Sequence, residues 1–336
     1  MSDEPERAAA RGDPATGVTA AEVDGSGLPV SPDVADPPVS PDTADPPVSA
    51  DGGYATATAV PVERRGLDHG LRQTLAIAGT EYRLAIRNRW AVAMTVVFAA
   101  FALGLTTFSG AAVGPDGYGR TVASLAVLAV YLVPLVALAF GYDAIVGRAE
   151  SGWLQALFAL PVGRGRIAVG AAVGRVVVLA SAIIVGFGIA GGFLLAEFGL
   201  AGFDVYAGFL LATVGLGAVF LALAVLLSTL AGEKAHALGL ALLAWAWFVL
   251  VHDLLALGVI AATSLPDAAV SALLLANPTG IYRALVLGGL GAAGDAGYAG
   301  VIAEAGFGDG VLLAALIVWI VVPIGLATLA IRRRNV

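Results

Sequence analysis

From residue 90 onward the chain is a succession of long apolar runs separated by short polar or glycine-bearing breaks. A helix needs about 20 apolar residues to cross roughly 30 Å of hydrocarbon. Six runs reach that length, at 91–109, 121–142, 176–196, 205–230, 237–261 and 311–331. The pattern therefore predicts an all-α membrane protein with six transmembrane helices. Two further stretches are apolar but do not read as spans. Segment 69–89 interleaves Leu71, Leu75, Ile77, Tyr82, Leu84 and Ile86 with Arg72, Arg83, Arg87 and Arg89. That is the pattern of an amphipathic helix lying in the membrane interface, its arginines at the lipid phosphates. A soluble helix that extends the first span satisfies the same pattern. Segment 263–310 holds one short apolar run at 268–276, then Asn277-Pro278, then a second run at 281–290 and a glycine-rich acidic stretch. Neither run is long enough to cross. Short helices on or dipping into the outer leaflet are expected, because unpaired backbone is not tolerated in lipid.

Ahead of the apolar body, residues 1–60 contain almost no large apolar side chains. They carry 11 acidic and 2 basic residues and a short tandem repeat, PVSPDVADP at 29–37 and PVSPDTADP at 38–46. Prolines remove backbone donors and the carboxylates repel one another, so a disordered tail is expected. It has no basic start followed by an apolar run, hence no signal-peptide pattern, and should stay on the side where it is made.

Composition sharpens the picture by exclusion. Hydrophobic residues make up 59% and charged residues 13%, with a mean hydropathy of +0.89. Soluble domains carry roughly 45–50% apolar and about 25% charged residues, so a soluble globular enzyme is excluded. Without cysteine there are no disulfides, thiolate metal sites or thiol chemistry. Outside the tail, 14 acidic face 16 basic residues, so the net charge of −7 belongs to the tail. Lys234 is the sole lysine among 18 basic residues. The acidic tail, arginine in place of lysine, and abundant Ala, Val and Gly suggest a halophile. Nothing points to nucleic acid. Lys and Arg near the span ends set orientation. With the N-terminus inside, 14 fall on the cytoplasmic side and only Arg120 and Arg283 outside, which places both termini in the cytoplasm.

Candidate chemistry within the spans is sparse. His252 and Asp253 lie about two-thirds along the fifth span, near its outer boundary, and read either as an interfacial polar pair or as a proton or ligand site. Asp143 and Glu197 fall at span ends. Gly170/Gly174 and Gly188/Gly192 have small-xxx-small spacing, which serves helix packing within a chain or a dimer contact. Met1, Met94, His69, His236 and His252 share no ligand spacing, so no metal site and no cofactor are expected. A phosphate-binding loop needs Gly-Lys-Ser/Thr, and the only lysine lies in Gly232-Glu233-Lys234-Ala235. The chain is expected to be no enzyme.

The most informative segment is the cytoplasmic loop 143–175. After Glu150 it presents Trp153, Leu154, Leu157, Phe158 and Leu160, then Pro161, Arg164 and Arg166. A short apolar stripe in a cytoplasmic loop suits docking into a groove of a soluble partner. An ordinary amphipathic loop helix would look alike.

Glu150-x-Gly152-x-Leu154-x-x-Leu157-x-x-x-Pro161-x-x-Arg164, followed by Gly170 and Gly174, resembles the cytoplasmic coupling loop of type-2 ABC exporter permeases. Trp153, Ala159 and Gly163 stand where that family commonly has Thr, Ser and Ser. Within the family, Asn277-Pro278-x-x-x-Tyr282-Arg283 before the last span is similar to permeases for multi-copper enzyme maturation, including the type serving nitrous oxide reductase. The resemblance covers about residues 70–336. It implies a plasma-membrane homodimer of permeases bound to separate ABC ATPase subunits, with ATP hydrolysis in the partner, and an extracytoplasmic accessory protein receiving what is moved. With no thiol or thioether ligands here, the cargo would not be naked copper, or the partner would hold the metal. Two other classes fit the composition: a secondary transporter, which would need a mid-membrane coupling site, and a membrane anchor without transport.

Overall fold

A run of Ala, Leu, Val, Ile and Phe in lipid can pair its backbone without an edge partner only as a helix. The computed structural model describes residues 67–108, 117–152, 163–200, 202–290 and 307–333, and among them every regular element is helical. The predicted tail 1–60 lies outside the described residues.

Helix α1 (Leu67–Arg87) is separate from α2 (Trp90–Phe108). The chain turns at Asn88 and Arg89, and Arg89 takes a positive φ of 60°. Helix α3 (Gly117–Gly141) is followed by a turn and the short α4 (Val146–Glu150). Then come α5 (Arg164–Phe198), α6 (Phe203–Leu230) and α7 (Lys234–Ala246). A π turn (Trp247–Val251) joins α7 to α8 (His252–Ala262). The chain continues through α9 (Asp267–Leu275), α10 (Pro278–Gly289) and α11 (Asp309–Arg333). Among the described residues, six helices or helix pairs are long and apolar enough to cross a membrane. The α9–α10 pair is bent by 94° and forms a further crossing only if counted as one broken span.

Packing is organised around α5 and α6. Helix α6 is buried on all sides over ten consecutive residues, Leu216 to Val225, as expected of a helix apolar all round. Helix α5 contacts α1, α2, α6 and α11. At 35 residues and 1.5 Å per residue it is about 52 Å long, well beyond the hydrocarbon thickness. Phe98, Phe187 and Phe209 join α2, α5 and α6, with successive ring centroids 5.6 Å apart, and the Tyr206 hydroxyl donates to the Phe187 carbonyl at 2.6 Å. Large apolar side chains on α2, α7, α8 and α11, among them Phe101, Leu243, Leu254 and Val321, remain exposed. Lipid is their natural solvent.

The glycine spacing on α5 has two outcomes. A Cβ on Gly170 would lie 2.7 Å from Ile77, and one on Gly174 would lie 2.5 Å from Glu81 Cβ. These two glycines let α1 seat directly on α5. At Gly188 and Gly192 a Cβ would meet nothing within 4 Å.

Candidate functional site

Two polar nodes mark opposite ends of the bundle. The first forms where α3 gives way to α4. The chain turns after Gly141, and Ser228 Oγ of α6 accepts the N–H groups of Ile145 (3.0 Å) and Val146 (3.1 Å), donors that the start of α4 leaves free. This turn carries Asp143 and Arg148 toward α1 and α5. Glu81 of α1 is 7% exposed and sits between two guanidinium groups. Arg148 pairs with one carboxylate oxygen, and Arg175 Nε lies 3.4 Å from the other. Arg175 also donates to Asp143 Oδ1 at 2.8 Å and to the Phe140 carbonyl, and its guanidinium lies 5.2 Å from the Phe140 ring centre. Two carboxylates thus meet two guanidiniums in a mostly buried setting, where ions are tolerated only when paired. A cleft of about 250 Å³ opens on this network, with Asn88, Trp90 and Lys234 completing its wall.

Glu150, the last residue of α4, reaches a different helix. Its Oε1 accepts the backbone N–H of Lys234 at 2.7 Å, and its Oε2 lies 3.6 Å from Lys234 Nζ. Glu233, the N-cap residue of α7, makes no side-chain cap. Glu150 supplies that acceptor from outside, and its negative charge suits a helix N-terminus. Two residues on, Gly152 has φ +72°, a left-handed conformation that glycine adopts without steric cost. The chain returns at Gly163, the N-cap of α5, so Arg164 is the first residue of that helix. Trp153, Leu154, Leu157, Phe158 and Pro161 lie outside the described residues, as does the side chain of Arg164.

The second node gathers the His252–Asp253 pair and the Asn-Pro-x-x-x-Tyr-Arg motif into one cluster. Asn277 Oδ1 accepts the Thr279 N–H at 3.0 Å and caps α10, with Pro278 in the first turn. The Asn277 amide donates to Asp253 Oδ1 and, at 3.1 Å, to the Phe248 carbonyl in the π turn. Arg283 pairs with Asp253 Oδ2. Tyr282 is fully buried, and its hydroxyl lies 3.0 Å from Thr213 Oγ1. Because Thr213 donates to the Phe209 carbonyl at 2.7 Å, Tyr282 is the donor of that pair. His252 is buried, with Nδ1 3.8 Å from Asp253 Oδ1. Proximity to water would have sufficed to solvate Asp253 at the outer boundary. Instead its carboxylate side chain is 13% exposed and has three protein partners nearby.

Sequence reasoning did not single out Glu81, Arg148 or Arg175, read Lys234 only as the lone lysine, and passed over Asp143 as an ordinary span end. The available signal was that opposite charges from three separate segments fall at one predicted membrane boundary. An unpaired ion there is costly, so pairing among them was to be expected.

The geometry can be set beside known proteins. The family model described as "ABC-2 family transporter protein" matches residues 75–336. The chain is 40% identical over 274 residues to the "Probable ABC transporter permease protein NosY" of Stutzerimonas stutzeri, covering 79% of this chain and 99% of that protein. It is 39% identical over 269 residues to the protein of the same name from Pseudomonas aeruginosa, covering 77% of this chain and 98% of the other.

Proposed function

The chain belongs to the ABC-2 family of transporter proteins and is a membrane permease of an ABC transporter, and on that premise we propose how it is driven and what it serves. The segment from Glu150 to Arg164 docks a separate ATPase subunit on the cytoplasmic side. Closure of an ATPase pair pushes these segments and tilts the spans of a permease homodimer about a shared interface. Hydrolysis belongs to the partner, and no residue of this chain needs to react.

The observation that carries this reading is the bond from Glu150 to the start of α7, 84 residues later. The base of the docking segment is thereby tied to a second loop at the same end. Through Arg148 and Asp143 the adjoining turn is also tied to α1 and α5. A push on the loop would therefore be delivered to α1, α5 and α7 together, which suits rigid-body motion. The role served is maturation of an extracytoplasmic copper enzyme, with an accessory protein on the outer face; likeness to two proteins named NosY supports the subfamily on which this reading rests. The permease sits in the plasma membrane, as the family resemblance implies, and the arginine distribution supports an orientation with both termini cytoplasmic.

Leu157→Asp tests the docking assignment. Burying a leucine contributes roughly 1.5–3 kcal/mol, and a charge there adds a desolvation penalty. The variant should lose co-purification of the ATPase while remaining inserted in the membrane. Asp253→Asn, at the opposite end, should keep the ATPase. Full ATPase binding by Leu157→Asp would overturn the docking assignment.

A further inference from the structure

At the end of the bundle where α11 finishes, α1, α5 and α11 enclose an open cleft of about 530 Å³. Its lining includes Thr74, Arg166, Thr328 and Arg332, with Gly163, Gly165 and Val169. Two arginines line this space, and no carboxylate of the described residues does. The contrast with the neighbouring network is direct. Arg148 and Arg175 each meet a carboxylate, whereas Arg166 donates to a neutral acceptor, Gln73 Oε1, at 2.8 Å. Arg332 forms no ion pair with any described residue and stays exposed. Gly70 keeps the guanidinium of Arg166 close to α1: a Cβ there would lie 3.1 Å from its Nη2.

Depth and chemistry then select the ligand. Arg332 directly follows the apolar run 311–331, so it stands at the edge of the hydrocarbon, at the level of lipid phosphates. The hydroxyls of Thr74 and Thr328 donate to the carbonyls of Gly70 and Gly325. They are small walls rather than donors, and the arginines alone supply N–H groups and charge. Planar guanidinium forks match phosphate oxygens two at a time.

We propose that this cleft binds a phosphate group between Arg166 and Arg332, joining α1, α5 and α11 through a bound anion. The phosphate is that of an anionic lipid headgroup or a free phosphate. The cleft adjoins the end of the docking segment, whose Gly163 is among its lining residues, but its test reads anion binding by the permease alone and stands whether or not that segment binds an ATPase.

Native mass spectrometry of the full-length permease in mild detergent tests this, with phosphatidylglycerol, phosphatidylcholine or inorganic phosphate as probes. Phosphatidylglycerol should bind more tightly than phosphatidylcholine, whose choline brings a positive charge to a cationic cleft. Arg166→Gln with Arg332→Gln should weaken phosphatidylglycerol binding about tenfold or more, which corresponds to about 1.4 kcal/mol or more. Thr328→Glu keeps both arginines, adds a carboxylate to the cleft, and should lose binding as well. Arg72→Gln, on the exposed side of α1, should bind as the unaltered protein does. Competition by inorganic phosphate, with the same arginine dependence, would identify a free anion as the ligand. Lack of competition together with arginine-dependent lipid binding would identify the headgroup. Unchanged phosphatidylglycerol binding in either cleft variant would overturn the proposal. Unchanged unfolding temperatures show that the variants are folded.

Discussion

Glu150 Oε1 accepts the backbone N–H of Lys234 at 2.7 Å, so the carboxylate that opens the loop motif is also the N-terminal cap of a helix 84 residues further on. One side chain thus fastens α4 to α7. Its partial exposure limits the charge contribution, as for other solvent-exposed pairs. The cap bond is the larger part.

Glu150→Ala should therefore cost about 1 kcal/mol, the usual value of a lost cap. Its effect on coupling should be larger. ATPase should still co-purify, because the apolar stripe is intact, while substrate-dependent ATPase stimulation falls. Glu150→Gln keeps an oxygen acceptor for the Lys234 N–H and should restore most of the stability. An ATPase assay on the reconstituted complex, with thermal unfolding alongside, separates the two effects.

Glu81 is the more consequential charge. Removing it leaves Arg148 without its carboxylate and Arg175 with Asp143 only. Breaking a buried pair costs roughly 3–5 kcal/mol. Glu81→Ala should lower the unfolding temperature markedly and loosen α1 from α5. Glu81→Leu combined with Arg148→Leu should lose less than Glu81→Ala, since no charge is then left unmatched. Thermal unfolding of the three purified proteins in detergent checks the order.

Gly152 supplies a backbone conformation rather than a contact. A Cβ there would meet nothing within 4 Å, yet φ is +72°. Gly152→Ala should cost roughly 1–2 kcal/mol of local strain, and Gly152→Asn less. Both should insert normally. Weaker ATPase co-purification by the alanine variant, partly recovered by asparagine, is the expected result.

Topology can be read by chemical labelling, because the chain contains no cysteine of its own. Single cysteines at Gly294 and Asp309 should both react with an impermeant thiol reagent in right-side-out vesicles, and one at Gly163 should not. Reaction of the two loop positions from opposite sides would reveal a crossing between them and remove the six-span arrangement.

Some of the fold was legible because it depends on local composition. The first span, predicted at 91–109, is the helix Trp90–Phe108. Hydropathy was less informative about helix ends. The third apolar run begins at residue 176, but its helix begins at Arg164, because apolar composition reports where lipid is and not where helical hydrogen bonding stops. The π turn at Trp247–Val251 had no local signature either. It goes with a carbonyl, that of Phe248, bonded by Asn277 and with the Thr279 hydroxyl 3.1 Å away, two residues that an inspection of the fifth span alone does not contain.

The candidate sites divide along the same line. Glu150, Gly152, Asn277 and Pro278 could be singled out from the sequence because a family motif is a spacing of a few residues along the chain. Their partners could not. Glu81 meets Arg175 across 94 residues, and Arg175 meets Asp143 across 32. By itself the sequence determined that this chain is a bundle of membrane helices, since burial of apolar side chains in lipid depends on composition alone. Only the tertiary structure decided which charges meet. That depends on the faces α1, α4 and α5 present to one another, and the close approach allowed by Gly170 and Gly174 sets those faces.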